Sequence, residues 1–205
     1  MVLTPLFPSR EPVDQRLLTI AGEHLRRFGR RKLTVVGVAE EAGMTHANVY
    51  RYFPSKEALL DAVVEVWLKA MERRLADVAD GPDPADDKLE RLLLAMARAN
   101  RQALSEDPHL FDALKSSLSR RSAVTRRHRS RVRGLIERIV DEGIATGAFE
   151  PRDKERGIAL AIDATHRFIH PVSLEFDADA PQSSIDARLA TLIRVVLRAL
   201  ASGTV

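Results

Sequence analysis

The chain has 205 residues, 45% of them apolar and 30% charged, and no cysteine. That length and balance allow a well-buried core and fit a globular protein rather than a disordered one, while the missing cysteine excludes disulfides, thiol nucleophiles and cysteine-bound zinc. The net charge of +3 is uneven: residues 1–56 hold nine Lys and Arg against five Asp and Glu, and the remainder holds 23 against 24. A polyanion partner is therefore expected for the N-terminal quarter. No apolar run reaches the roughly 18 residues of a membrane span. The opening segment lacks the basic start and long apolar stretch of a signal peptide, so a cytoplasmic protein without a membrane partner is expected.

Apolar residues recur at three- and four-residue spacing almost throughout, which predicts an all-α chain of about nine helices. Residues 1–10 read as a flexible arm. A first helix fits Pro12 to Phe28, with Gly29 past its end and Val13, Leu17, Ile20, Ala21, Leu25 and Phe28 as its inward stripe. A second fits Val35 to Ala42, capped by Thr34, and a third fits His46 to Phe53, capped by Thr45. Pro54 stops the third, and Ser55 can cap a fourth that runs to about Val78, with Leu60, Val63, Val64, Trp67, Met71 and Leu75 on one side. Further helices fit Ala85–Leu104, Pro108–Ser119, Ser122–Ala145, Asp153–His170 and Ile185–Ala201. A loop over 171–183 leads to a capping-box spacing at Ser183 to Asp186.

The segment from Val35 to Phe53 carries the main signal. Two helices crossing steeply over a short turn need a small residue where their backbones approach, here Ala39, and a left-handed residue in the turn, here Gly43. Val38, Ala42, Met44, Val49 and Tyr52 fall at the spacings that hold such a pair together. With Val49 facing inward, Ala47, Asn48, Tyr50 and Arg51 point away from it and join Thr45 and His46 at the helix start as the residues to meet DNA. Asn48 can pair with the N6 and N7 edge of adenine, and His46 can reach a base edge or a phosphate. Tyr50, Tyr52 and Lys56 suit phosphate positioning, as does the Thr34 hydroxyl, and Arg30, Arg31 and Lys32 add sequence-independent attraction.

These residues, with the run from Tyr50 through Phe53, Pro54, Ser55 and Lys56 to Leu60, resemble the TetR family signature over roughly residues 13–60. His46, Ala47 and Asn48 depart from the Lys-Gly-Thr common there, so no operator is inherited from a relative. The resemblance implies a helix-turn-helix domain over residues 1–56 and a helical effector-binding and dimerisation domain over 57–205. It implies a homodimeric repressor released from an inverted-repeat operator on double-stranded DNA by a small organic effector. An architectural DNA binder without an effector is the alternative, motivated by the arginines at 30–31 and in the run from Arg120 to Arg133.

In the C-terminal part, Leu189, Leu192, Ile193, Val196, Leu197 and Leu200 form one stripe, and Ile158, Ala161, Ile162, Ala164, Phe168 and Ile169 another. Two such helices from each of two subunits would make a four-helix interface. Trp67, Phe111, His166 and Phe168 are the expected effector-pocket residues. Asp163, His166 and His170 share a helix face that could hold a divalent metal but more often serves hydrogen bonding, so no metal or cofactor is expected. The seven arginines from Arg120 to Arg133 form a solvated face, a partner for the acidic 80–87 loop, or an attractor of an anionic effector. No Gly-rich phosphate loop, nucleophile elbow or His-Glu-x-x-His occurs, and no enzyme is expected.

Overall fold

The computed structural model describes residues 12–177 and 179–205. The expected arm over residues 1–10 lies outside them. The regular elements among the described residues are all helical: α1 (Val13–Lys32), α2 (Val35–Glu41), α3 (His46–Tyr52), α4 (Lys56–Ala79), α5 (Ala85–Glu106), α6 (Pro108–Ser119), α7 (Ala123–Thr146), α8 (Lys154–Ile169), α9 (Pro171–Leu174), a 3-10 turn (Glu175–Asp177) and α10 (Gln182–Ala201). The tenth helix, α9, arises where a loop was expected. Pro171 takes the first helical position, where its missing N–H costs nothing, and Leu174 is buried.

Two compact units divide between Val63 and Val64, within α4. In the first, Leu17, Ala21 and Leu25 of α1 pack with Leu33, Val35, Val38 and Val49 in a dry core. The predicted α1 stripe is wider than the real one. Val13 and Phe28 are exposed, Phe28 by half, because Gly29 breaks the helix at φ 75 and ψ 167. Phe28 packs at right angles to the His24 ring, centroids 5.7 Å apart.

In the second unit, α8 packs along α10, and α5 touches α6, α7, α8 and α10. Leu89, Leu92, Ile136, Ile139, Val140, Ile158 and Ile193 are almost fully buried there. The α10 stripe read as a subunit interface is largely spent inside the single chain: Leu189, Ile193, Val196 and Leu200 are all buried, as are Ile158, Ala161 and Phe168 of α8. Helix α10 also begins earlier than expected, at Gln182, and the Ser183–Asp186 spacing makes no capping box; Asp186 instead accepts from Gln182 Nε2 at 2.9 Å. The Ser55 cap follows the reading, and three further side-chain caps join it. The side chains of Ser55, Asp107, Ser122 and Asp153 accept the N–H groups of Ala58, Leu110, Thr125 and Arg156.

Candidate nucleic-acid interface and effector cavity

Local chain chemistry builds the helix-turn-helix. Thr34 Oγ1 accepts the Gly37 N–H at 3.0 Å and starts α2. At its end the Met44 N–H reaches the Ala39 carbonyl at 2.9 Å and the Gly43 N–H the Glu40 carbonyl at 3.1 Å. This paired closure is a Schellman motif, and it needs a left-handed residue at Gly43, where φ is +64. Ala39 and Val38 are fully buried beside Val49, and Ala42 nearly so. The His24 imidazole of α1 meets the Glu41 carboxylate at the end of α2 at 2.5 Å, a tie between helices that spacing alone did not suggest.

Most of the residues read as DNA contacts lie outside that buried seam. Thr34, Thr45, His46, Ala47, Tyr50, Arg51 and Tyr52 are exposed, while Asn48 and Lys56 are half-buried. Three details differ from the sequence reading. Tyr52, expected among the residues that hold the pair together, is 43% exposed; Phe53 takes that role at 8%. Thr45 caps α3 through its backbone, its carbonyl accepting from Asn48 at 3.0 Å, but its hydroxyl makes no cap bond and stays available. Lys56 Nζ donates to the Arg31 carbonyl at 3.1 Å, which anchors the start of α4 to the basic segment after Gly29.

The second unit contains a cavity of about 480 Å³ between α5, α7 and α8. Leu93, Met96, Val132, Ile136, Ile162 and Ile169 provide apolar wall, and His128, Arg129, Arg133, Asp163, His166 and His170 supply polar groups. Of the four pocket residues expected from sequence, His166 lines this cavity and three do not. Trp67 and Phe111 pack instead in a cluster with Ala103, Leu104 and Leu174. Phe168 lines a shallow groove between α8 and α10, under the Arg188 guanidinium at 5.4 Å. His128 also lines the cavity; its four-residue spacing to Val132 and Ile136 puts it on an inward face in the middle of the arginine run. Among the described residues no three His, Asp or Glu side chains gather as a metal site; His166 and His170 stack face to face, centroids 4.5 Å apart.

Three arginines of the run pair away from the acidic loop. Arg127 pairs with Glu65 and Arg131 with Glu72, both on α4, and Arg133 with Glu155 at the start of α8. Asp80 pairs with Arg138, beyond the run, and Asp83 with Arg91. His128 Nδ1 shares the Glu72 carboxylate at 2.8 Å. Burial holds the His128 pKa below its usual 6.5 despite the opposing pull of Glu72, and burial, His166 and Arg129 lower that of His170. Both rings therefore resist protonation in the folded chain. Above pH 6.5 neither state is charged and the stability is intact; as pH falls below 6.5 the unfolded chain binds protons first and stability is lost. The melting temperature should be lower at about pH 5.5 than at about pH 7.5, and His128→Gln should flatten that slope. A slope unchanged in the variant would show that His128 is not a source of it.

The sequence model described as bacterial regulatory proteins, tetR family, matches residues 17–63, and the one described as tetracyclin repressor-like, C-terminal domain, matches residues 85–193. The chain belongs to the TetR family. It is a transcriptional regulator of the helix-turn-helix type and not an enzyme. The HTH-type transcriptional repressor KstR2 of Mycolicibacterium smegmatis is 27% identical over 171 residues, spanning 82% of this chain and 79% of that one. A protein of unknown function from Rhodococcus sp. RHA1 has the same fold, with a TM-score of 0.71, 22% identity and coverage of 96% and 100%. The transcriptional regulator FadR of Bacillus subtilis, solved in complex with stearoyl-CoA, matches at a TM-score of 0.60 with 18% identity and coverage of 92% and 98%. Among the described residues no helix is long and apolar enough to cross a membrane.

Proposed function

We propose that the chain is a homodimeric repressor that holds an inverted-repeat operator and is released by a small organic effector bound in the α5–α7–α8 cavity. The observation that carries this reading is the pairing, in one chain, of a helix-turn-helix closed by a Schellman turn with an apolar chamber that has a few polar groups, the usual make-up of a small-molecule site. FadR, a protein of the same fold, was solved with stearoyl-CoA, in keeping with a ligand site in such a chain. Release follows thermodynamically if the effector prefers the state that fits DNA poorly.

The dimer face is best sought on the outer side of α8 and α10, since the inner stripe is occupied. Val195 is 55% exposed, with half-buried Leu192 and Ala199 beside it, and Ala164 of α8 lines the groove against Leu192. Two reading heads related by two-fold symmetry would address half-sites about 34–36 Å apart. The ion pairs of Arg127, Arg131 and Arg133 weaken the alternative of an architectural binder, because that part of the run is neutralised within the chain.

Selection of bound DNA from a random duplex pool tests the reading. The expected product is an inverted repeat. Asn48→Ala should lose preference at one base position in each half-site, at a cost of about 1–3 kcal/mol, and Tyr50→Phe should weaken all sequences evenly. An unrepeated site would sink the dimer, and an unchanged preference in Asn48→Ala would sink the placement of the reading helix.

A further inference from the structure

We infer that the cavity selects an organic anion, a carboxylate head on an apolar body, with the head held at Arg129 and His170; this rests on the effector reading above and gives that effector a chemical class. The polar lining divides into groups already satisfied and groups that are not. Asn100 Nδ2 donates to the Met96 and Ile169 carbonyls at 3.2 and 3.0 Å, and Thr165 Oγ1 donates to the Ala161 carbonyl at 2.7 Å. His128 is held by Glu72, and Arg133 by Glu155. Those side chains build the wall. Arg129 also lines the cavity, and among the described residues it has no carboxylate partner.

The groups nearest His170 are basic. The His170 ring stacks on His166 with the planes 17° apart, and the charges of His166 and Arg129 both oppose its protonation, after burial. The charged or titratable groups facing His170 across the cavity are His128, Arg129 and Arg133 of α7 and Asp163 and His166 of α8; the α5 and α6 lining contributes none. Asp163 is the one acid. It sits seven residues before His170, about 10 Å of helix rise away, roughly a Debye length at physiological salt. An anion held at both Arg129 and His170 gains a cation and a protonatable imidazole at the His170 end of the lining. Binding should draw a proton onto His170, since a negative neighbour favours the charged ring.

Size sets the body. At roughly 30 Å³ per water-sized volume, the chamber holds about 16 such volumes, enough for a medium-length alkyl chain. The apolar residues of α5, α7 and α8 provide its surroundings, and Arg129, exposed at the opening, meets the head.

The test is calorimetric titration of the DNA-free full chain with octanoate, decanoate and dodecanoate, and with decanol and decylamine, in buffers of differing ionisation enthalpy. A charge-assisted contact is worth about tenfold or more. Decanoate is therefore expected to bind at least tenfold tighter than decanol, and decylamine more weakly still. Arg129→Gln should erase the preference for decanoate over decanol without changing decanol binding. Proton uptake should accompany decanoate and vanish in His170→Gln. Equal affinities for decanol and decanoate, a preference that survives Arg129→Gln, or no binding across the three carboxylates would each overturn the anion assignment. The effector reading is judged separately by Ile162→Trp, which fills the chamber: decanol or decanoate binding that survives this change would place the ligand elsewhere and overturn the cavity itself.

Discussion

Gly143→Ala is expected to cost about 3 kcal/mol of folding stability, while the same change at Gly134, in the same helix, should be neutral or stabilise by up to about 1 kcal/mol. The backbone is helical at both positions, so intrinsic propensity favours alanine at each. The difference lies in what the new methyl meets. A Cβ on Gly143 would fall within 2.8 Å of three ring carbons of Phe149, whereas one on Gly134 would have nothing within 4 Å. The Phe149 ring has nowhere to go. It is 1% exposed, and the turn at Gly147, with φ of 74, folds the chain back so that the Ala148 and Phe149 N–H groups both donate to the Gly143 carbonyl, at 2.8 and 3.0 Å. Relief would require moving the segment that follows, which is tied to the end of α10 by the Glu150 N–H on the Leu200 carbonyl at 2.8 Å. Thermal melts of the two variants provide the measurement. For a chain of this size a 3 kcal/mol loss corresponds to a fall of about 6–12 °C. Equal melting temperatures would mean that the ring does not sit against Gly143.

The parts that were legible in the sequence are those fixed by neighbours in the chain. Gly43 announces a left-handed closure, Ala39 a close approach, and Thr34 and Ser55 the starts of α2 and α4, because each acts within a few residues of itself. The helix-turn-helix consists almost wholly of such local devices, so it could be read nearly complete. Periodicity carries less. It states which side chains share a face, not which faces meet. That is why Phe28 was placed inside, although Gly29 turns the chain before the ring can be covered. It is also why the α10 stripe looked like a subunit interface when α8 and α5 of the same chain cover it. The cavity was the least legible feature. Trp67 and Phe111 are large and apolar, and so were taken as pocket wall, yet large apolar groups serve equally to fill space, and here they do. The groups that define the chamber are those left over once Glu72 and Glu155 have taken their partners. That remainder depends on contacts about 20 to 60 residues apart, which no local pattern encodes.

The α5 and α7 walls of that chamber are joined by a polar contact whose two halves should respond very differently to mutation. Lys88 of α5 places its ammonium on both oxygens of Glu142 of α7, at 2.7 and 2.8 Å. The lysine side chain is 5% exposed and the glutamate 41%. Removing the acid strands a buried cation; removing the cation leaves a carboxylate that water can reach. Glu142→Ala is therefore expected to destabilise the protein by about 3 kcal/mol, the low end for breaking a buried pair, since the long lysine stem can swing partly toward solvent. Lys88→Met, of similar length and apolar, should stay within about 1 kcal/mol of the parent, because replacing a desolvated charge by a packed hydrophobe is often neutral. The double variant should resemble Lys88→Met alone, giving a coupling of about 3 kcal/mol, the full cost of Glu142→Ala, in a cycle measured by chemical denaturation. If Lys88→Met proved the costlier change, the ammonium would have to hold something other than Glu142. If the ordering is as expected, the pair contributes little net stability and serves instead to fix how α5 lies on α7. A variant that keeps stability but loosens that register, Lys88→Met, should then bind ligand more weakly while melting at nearly the parental temperature.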